Sequence, residues 1–311
     1  MIRSILVPLD GSEFAEWALP AAVSIARRTG AKLELVSINI HVPVSVSAHI
    51  PGYGPAWESA ARDRALDYLK SIADRITKSG DITANATVRS GDIVDSLVQH
   101  AVQTHVDLIV MSTHGRGPLQ RVWLGSSADG VARHSPVPVL LIRPREGKPP
   151  DPDSERLFGR VLVPLDGSGY SEEVLPWGVA LGELGGADYV LVEVIQPPMV
   201  LGPPYGTFPP PHVDDAQLHA QRTASKDYLE GVAGRLRTRE FRVETIVRVA
   251  ASTAQGILEQ AENNGVDLIA MATHGRGGLG RVFLGSVADK VVRGATTPVL
   301  LLRPGGVSAQ M

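Results

Sequence analysis

A twenty-residue block of this chain occurs twice. Asp107-Leu-Ile-Val-Met-Ser-Thr-His-Gly-Arg-Gly-Pro-Leu-Gln-Arg-Val-Trp-Leu-Gly-Ser126 returns as Asp267-Leu-Ile-Ala-Met-Ala-Thr-His-Gly-Arg-Gly-Gly-Leu-Gly-Arg-Val-Phe-Leu-Gly-Ser286, with fifteen of twenty positions identical at an offset of 160. A shorter block, Ile5-Leu-Val-Pro-Leu-Asp-Gly-Ser12, returns as Val161-Leu-Val-Pro-Leu-Asp-Gly-Ser168 at an offset of 156. The second copy therefore gained a few residues between the blocks. Two homologous domains follow, and any site should occur twice.

The 311 residues leave each half at about 150, enough to bury roughly two-thirds of the surface its unfolded chain exposes without disulfide or metal. The chain has no cysteine, which excludes a disulfide scaffold and thiolate chemistry. A net charge of −3 and a pI near 6.3 give no electrostatic footprint for nucleic acid. No apolar run reaches the roughly 20 residues of a membrane span, and Met1 to Ser4 lead straight into the first repeated strand, leaving no room for a secretory signal. The expectation is a cytoplasmic protein that binds neither nucleic acid nor membrane.

Short β-branched runs alternate with long amphipathic segments, the pattern of parallel sheets covered by helices. The first half predicts strands at 3–9, 33–40, 83–89, 107–112 and 138–142, with helices at 13–29, 56–79, 92–105 and 126–134. The second predicts strands at 160–165, 188–195, 242–249, 267–272 and 298–303, with helices at 169–185, 213–238, 252–264 and 286–294. The fold class is α/β, two tandem doubly wound five-stranded parallel sheets. In such sheets ligands sit beyond the carboxyl ends of the strands where strand order reverses, and both repeated blocks fall there. The domains are read as 1–144 and 159–305, with a proline-rich charged linker at 145–158 and a tail at 306–311.

The apolar strands 137–142 and 298–303 would be aggregation-prone if left as bare edges. Pairing them with each other predicts an internal pseudo-dimer with approximate two-fold symmetry, and a homodimer stays open beside it. Pro20 and Pro176 fall inside the first helix of each half and should kink it. Segments 51–55 and 197–211, rich in Pro and Gly and carrying Tyr53 and Tyr205, cannot be regular structure and are read as lids, contact surfaces or solvated connectors.

Several repeated residues can carry chemistry. His114-Gly-Arg-Gly117 is followed by Gly125-Ser126 at a helix start, and the same order recurs from His274 to Gly285-Ser286. Glycines admit close backbone approach, and a helix start offers unpaired N–H groups and a positive dipole end to a phosphate. Ser126 and Ser286 could donate to phosphate oxygens or serve as ordinary N-caps. Asp10 and Asp166 could accept from a ribose hydroxyl or an adenine amine, or belong to a turn and cap. His114 and His274 have no partner at metal-ligand spacing, so they read as loop-orienting residues. Arg116, Arg276, Arg121 and Arg281 could neutralise phosphate charge. Gly275 to Gly280 formally matches a dinucleotide fingerprint, but it follows a fourth strand, lacks the acidic partner, and the first copy loses the last glycine at Gln120. No P-loop occurs, and no nucleophile with its base stands out.

These blocks resemble the universal stress protein family in its tandem form, over nearly the whole chain apart from the linker and tail. The resemblance implies an adenine nucleotide alpha hydrolase-like fold and a loop G-x2-G-x9-G-[ST] that holds the ribose and phosphates of ATP. The second and third glycines match as Gly115 and Gly125-Ser126, and as Gly275 and Gly285-Ser286; the first is Ser112 in one copy and Ala272 in the other. A β-carbon there could push back the ribose while leaving the phosphate cradle intact. By resemblance, Asp10 and Asp166 contact the adenosine part, beside Pro8, Leu9, Pro164 and Leu165. Ile38, Val194, Met111 and Met271 line the adenine pocket. Ser127 and Val287 offer backbone N–H groups, and His114, Arg116, His274 and Arg276 lie in the loops. The second half has Ala250-Ala-Ser252 where the first has Ser90-Gly-Asp92, so a glycine is lost there. The implied cofactor and partner is ATP, accompanied by Mg2+ or Mn2+, in a regulatory stress protein without fast chemistry. A scaffold that binds no nucleotide and a slow ATPase are the alternatives.

Overall fold

The computed structural model describes residues 2–39, 54–78, 82–113, 124–145, 147–197, 199–200, 212–274 and 284–305. They fall into two compact units, one holding the described residues of 2–157 with 284 and 298–305, the other those of 158–274 and 285–297.

The first unit runs β1 (Ser4–Pro8), α1 (Glu13–Glu16), α2 (Leu19–Thr29), β2 (Lys32–Asn39), α3 (Pro55–Thr77), β3 (Ala84–Ser90), α4 (Ile93–Gln103), β4 (Leu108–Ser112), α5 (Ser126–His134) and β5 (Val139–Ile142). The second runs β6 (Arg160–Pro164), α6 (Gly169–Glu172), α7 (Leu175–Glu183), β7 (Asp188–Ile195), β8 (Met199–Val200), β9 (His212–Val213), α8 (Asp215–Arg237), β10 (Val243–Val249), α9 (Thr253–Asn263), β11 (Leu268–Ala272) and α10 (Ser286–Gly294). The chain's last strand, β12 (Val299–Leu302), lies in the first unit.

Strand order in the first unit is β12-β5-β4-β1-β2-β3, and in the second β10-β7-β6-β11. All these pairings are parallel except β12 with β5, which is antiparallel with Val299 opposite Leu141 and Leu301 opposite Val139. The two apolar final strands thus protect each other, as their sequences require. Every residue of β4, β5, β11 and β12 is buried. Strands covered on both faces need continuous apolar sequence, and each buried Leu, Ile or Val contributes about 1.5–3 kcal/mol. β3 and β10, at the ends of their orders, are only half-buried and accordingly more polar.

Four readings of the sequence are corrected. The helix expected over 13–29 is two helices, α1 and α2, and Pro20 occupies the first turn of α2 rather than kinking a continuous helix. A ring at position 20 would collide with the carbonyl four residues back in an unbroken helix and donates no hydrogen bond; in the first turn neither defect matters. Pro176 plays the same part at the start of α7. The segment 197–211 is not wholly irregular, because Met199–Val200 pairs antiparallel with His212–Val213. The remaining correction concerns the caps of α5 and α10 and is given with the site.

The proline-rich segment after β5 is fastened to α2. Arg27 pairs with Asp153, Arg28 with Glu155 at 2.7 Å, and the Arg156 amide donates to Ser24 Oγ at 2.7 Å. Exposed ion pairs of this kind add at most about 1 kcal/mol each, so they set the path of the segment more than the stability of the unit.

Candidate functional site

Strand order reverses beside β1. From β1 the chain proceeds to β2 and β3 on one side, and β4 returns on the other, with Ile5 opposite Leu108 and Leu6 opposite Ile109. In the second unit β6 stands between β7 and β11, with Val161 opposite Leu268. Neighbouring strands lie about 4.8 Å apart, so the loops leaving β1 and β4, and likewise β6 and β11, open side by side at the crevice where such sheets take ligands.

The loops leaving β1 and β6 have nearly the same internal geometry. Asp10 Oδ1 accepts from the Ser12 amide at 2.9 Å and from Ser12 Oγ at 2.6 Å, and Ser12 Oγ accepts from the Ala15 amide at 3.3 Å. Asp166 Oδ1 accepts from the Ser168 amide at 3.0 Å and Ser168 Oγ at 2.6 Å, and Ser168 Oγ accepts from the Ser171 amide at 3.2 Å. The turn needs a left-handed residue between them, supplied by Gly11 at φ +82 and Gly167 at φ +78. One oxygen of each carboxylate is thus engaged in the turn-and-cap role. Asp10 is exposed and Asp166 half-buried. Pro8, half-buried, and Pro164, buried, precede Leu9 and Leu165, whose amides donate to Val36 and Val192 at 2.8 Å and extend the parallel ladder to the turn.

The loops leaving β4 and β11 are pinched shut at their ends. The Gly125 amide donates to the Thr113 carbonyl at 2.8 Å, and the Gly285 amide to the Thr273 carbonyl at 2.9 Å. A β-carbon at Gly285 would stand 2.5 Å from that carbonyl oxygen, so glycine is required by the chain's approach to itself, its φ of −57 being ordinary. Gly125 and Gly285, rather than Ser126 and Ser286, are the N-caps of α5 and α10, and neither helix has a side-chain cap. The expected N-cap role of the serines is therefore corrected: each is the first residue of its helix and is exposed. First-turn amides without a side-chain acceptor suit an anion. Ser127 and Val287, half-buried, follow in those first turns.

Met111 and Met271 are 5% exposed, Ser112 7% and Ala272 8%, so the position of the missing first glycine carries a nearly covered side chain in both units. Ile38 and Val194 are half-buried. Val194 lies against α9, where its Cγ1 would come within 2.8 Å of a β-carbon at Gly256. His274 Nδ1 stands 3.0 Å from Thr273 Oγ1, which places the ring beside the pinched end of the loop. His114, Gly115, Arg116, Arg121, Gly275, Arg276, Arg281, Tyr53 and Tyr205 lie outside the described residues. No group of three or more His, Asp or Glu side chains disposed to hold a metal occurs among the described residues.

One repeated cluster was missed from sequence. Glu16, the last residue of α1, accepts from Tyr68 Oη at 3.0 Å and from Arg75 at 3.1 Å. Glu172, the last residue of α6, accepts from Tyr228 Oη at 3.0 Å and pairs with Arg235. Burial first, then the neighbouring Glu16 and Asp10 charges, push the Tyr68 hydroxyl well above the usual phenol range. Burial and Glu172 do the same to Tyr228. The signal was available: these glutamates recur at the offset of the Asp-Gly-Ser block and the Tyr and Arg pairs at that of the later block.

Two α/β units, each with a turn-held aspartate and a glycine-capped helix start on neighbouring strands, define a two-domain α/β protein built by duplication. A model of the universal stress protein family matches residues 1–143 and again 157–303, and the chain belongs to that family in tandem form. It is 27% identical over 303 residues to a universal stress protein of Mycolicibacterium smegmatis, covering 96% of this chain and 97% of that protein. A universal stress protein of Thermus aquaticus is 32% identical over 143 residues, 46% of this chain and all of that shorter protein. Among solved structures, a universal stress protein from Archaeoglobus fulgidus is similar at a TM-score of 0.69 and 20% identity, over 97% of this chain and 98% of that one, a likeness of fold. No helix among the described residues is long and apolar enough to cross a membrane.

Proposed function

We propose that this universal stress protein binds ATP in the cytoplasm with one site per repeat, and that occupancy biases its shape or its choice of partner. The observation that carries the reading is the pairing, in both units, of a turn-held aspartate after one strand with a helix after the neighbouring strand whose glycine N-cap brings no side-chain acceptor. Asp10 and Asp166 are assigned to the adenosine part, and the first turns of α5 and α10, with Ser126 and Ser286, to the phosphates. Backbone amides at a helix start favour a phosphate oxygen through both hydrogen bonding and dipole.

Ser112 and Ala272 favour a second reading, a scaffold whose cradles hold no nucleotide, because each puts a β-carbon where the nucleotide loop has glycine. Calorimetric titration of the full chain with ATP and magnesium separates the two. Saturation at two equivalents, with phosphate release no faster than in buffer, supports paired binding sites without turnover. No heat up to millimolar ATP supports the scaffold, and steady phosphate release supports a slow ATPase.

A further inference from the structure

We infer that Glu16 and Glu172 are positioning residues of the two nucleotide sites, clamping the helix that carries each Asp-Gly-Ser turn to the long helix that follows the second strand of its unit. The inference rests on the nucleotide reading and deepens it, since it concerns what holds Asp10 and Asp166 in place.

The short helices have little stability of their own. α1 and α6 are four residues long, and an isolated single turn is not stable in water because nucleation is unfavourable and few bonds repay it. Proline then interrupts the helical hydrogen bonding, and the chain restarts as α2 and α7 after two residues that keep right-handed helical dihedrals, Trp17 and Ala18 in one unit and Glu173 and Val174 in the other. Each short helix is held at its N-terminus by Ser12 or Ser168, the residues that also hold the aspartate. Its other end is held by the terminal glutamate. The aspartate turn and the glutamate are thus two ends of one seven-residue piece of chain.

The partners on the long helix have the geometry of a clamp. Tyr68 and Arg75 are seven residues apart on α3, and Tyr228 and Arg235 are seven apart on α8, so each pair lies on one helix face two turns apart. The tyrosine hydroxyl reaches one carboxylate oxygen and the guanidinium the other. A carboxylate that receives a donor on each oxygen has its side chain fixed in direction, and charge-assisted bonds of this kind are the stronger ones. Glu16 and Glu172 are largely covered, at 18% and 27% side-chain exposure, while Arg75 and Arg235 are at 48% and 62%, so the tyrosine bond is the part-buried half of the clamp. The contact recurs in both copies, as the Asp129–Arg133 and Asp289–Arg293 pairs do.

The test uses full-length protein and three probes: ATP, adenosine and inorganic tripolyphosphate. In the double variant Glu16→Gln, Glu172→Gln, and separately in Tyr68→Phe, Tyr228→Phe, adenosine and ATP should bind about tenfold more weakly, with tripolyphosphate affinity unchanged because the cradles at α5 and α10 are untouched. The phenylalanine pair keeps the fold's apolar contacts, so it serves if the glutamine pair does not fold. Unchanged adenosine affinity in variants of a wild type that binds it overturns the clamp's role. Parallel weakening of adenosine and tripolyphosphate, tracking a fall in melting temperature, also overturns it, as a merely structural effect. A wild type that binds none of the probes overturns the nucleotide reading, and the clamp's role with it.

Discussion

The turns at Asp10 and Asp166 agree to within about 0.1 Å in their shared hydrogen bonds, yet their surroundings differ. In the second unit Ser171 Oγ accepts from the Asp166 amide at 3.3 Å and donates to the Ser168 carbonyl at 2.9 Å. The corresponding residue of the first unit is Ala15. The loops before α4 and α9 differ more. Gly91 takes φ +136 and leads to Asp92, which caps α4 by accepting from the amides of Val94 and Asp95 at 2.9 and 3.1 Å. Ala251 stands in place of that glycine and is absent from the described non-glycine residues with positive φ, and Ser252 caps α9 with one 3.4 Å bond. Duplication has kept the hydrogen bonds of the Asp-Gly-Ser turns and let the loops before α4 and α9 drift. Where a glycine was lost, the backbone took another path.

The largest expected effect tests the kept features. Gly285→Ala places a β-carbon against the Thr273 carbonyl, and because backbone must shift, stability should fall by about 2–3 kcal/mol in denaturant melts. Gly125→Ala should cost the same, since its amide makes the matching bond; a harmless substitution at either glycine would break the equivalence of the loops. The drifted loops come next. Gly91→Ala should cost about 1–2 kcal/mol because an L-residue is strained at φ +136, whereas Ala251→Gly should cost less than about 1 kcal/mol, through unfolded-chain entropy alone.

A third pair of variants addresses the departure from the nucleotide loop. Ser112→Gly and Ala272→Gly should each tighten ATP binding by about three- to tenfold, read by titration. Unchanged affinity would mean that these covered side chains do not meet the ribose. The smallest effect is a pH dependence confined to the first unit. His100 is buried on α4, its Nδ1 lies 3.2 Å from Arg89, and its Nε2 has no partner. Arginine only donates, so Nδ1 accepts and the ring is neutral. Burial and Arg89 lower its pKa, with Glu34 opposing. A lowered folded pKa means that its contribution is present above the unfolded value near 6.5 and is lost as pH falls through the folded value. Protection factors in β2 and β3, taken against the intrinsic exchange rate at each pH, should therefore fall below pH 6.5 in wild type and stay flatter in His100→Gln, the residue that the second repeat carries as Gln260.

Much of this fold is legible because the central strands are apolar throughout and their spacing leaves room for one crossover each. The strand at 188–195 and the helices at 126–134 and 286–294 occur where the sequence places them. The break between α1 and α2 is harder to read, because apolar periodicity continues across Trp17 to Pro20 and only the steric demand of the ring divides it. The hairpin of Met199–Val200 with His212–Val213 joins strands of two residues, too short for any periodic signal. For the site, Gly125 and Gly285 were marked by repetition, but their reason is a carbonyl brought close by folding. Glu16 and Tyr68 are 52 positions apart, so their contact exists only once α3 is laid beside α1.

We propose that duplication built two nucleotide sites. The most direct measurement is to denature freshly purified protein, identify any released nucleotide by chromatography and mass, and measure its molar ratio before and after saturation with ATP and magnesium. The account predicts adenine nucleotide approaching two per chain after saturation. No nucleotide released and none taken up would contradict it, leaving the two glycine-capped loops as structural features of a scaffold.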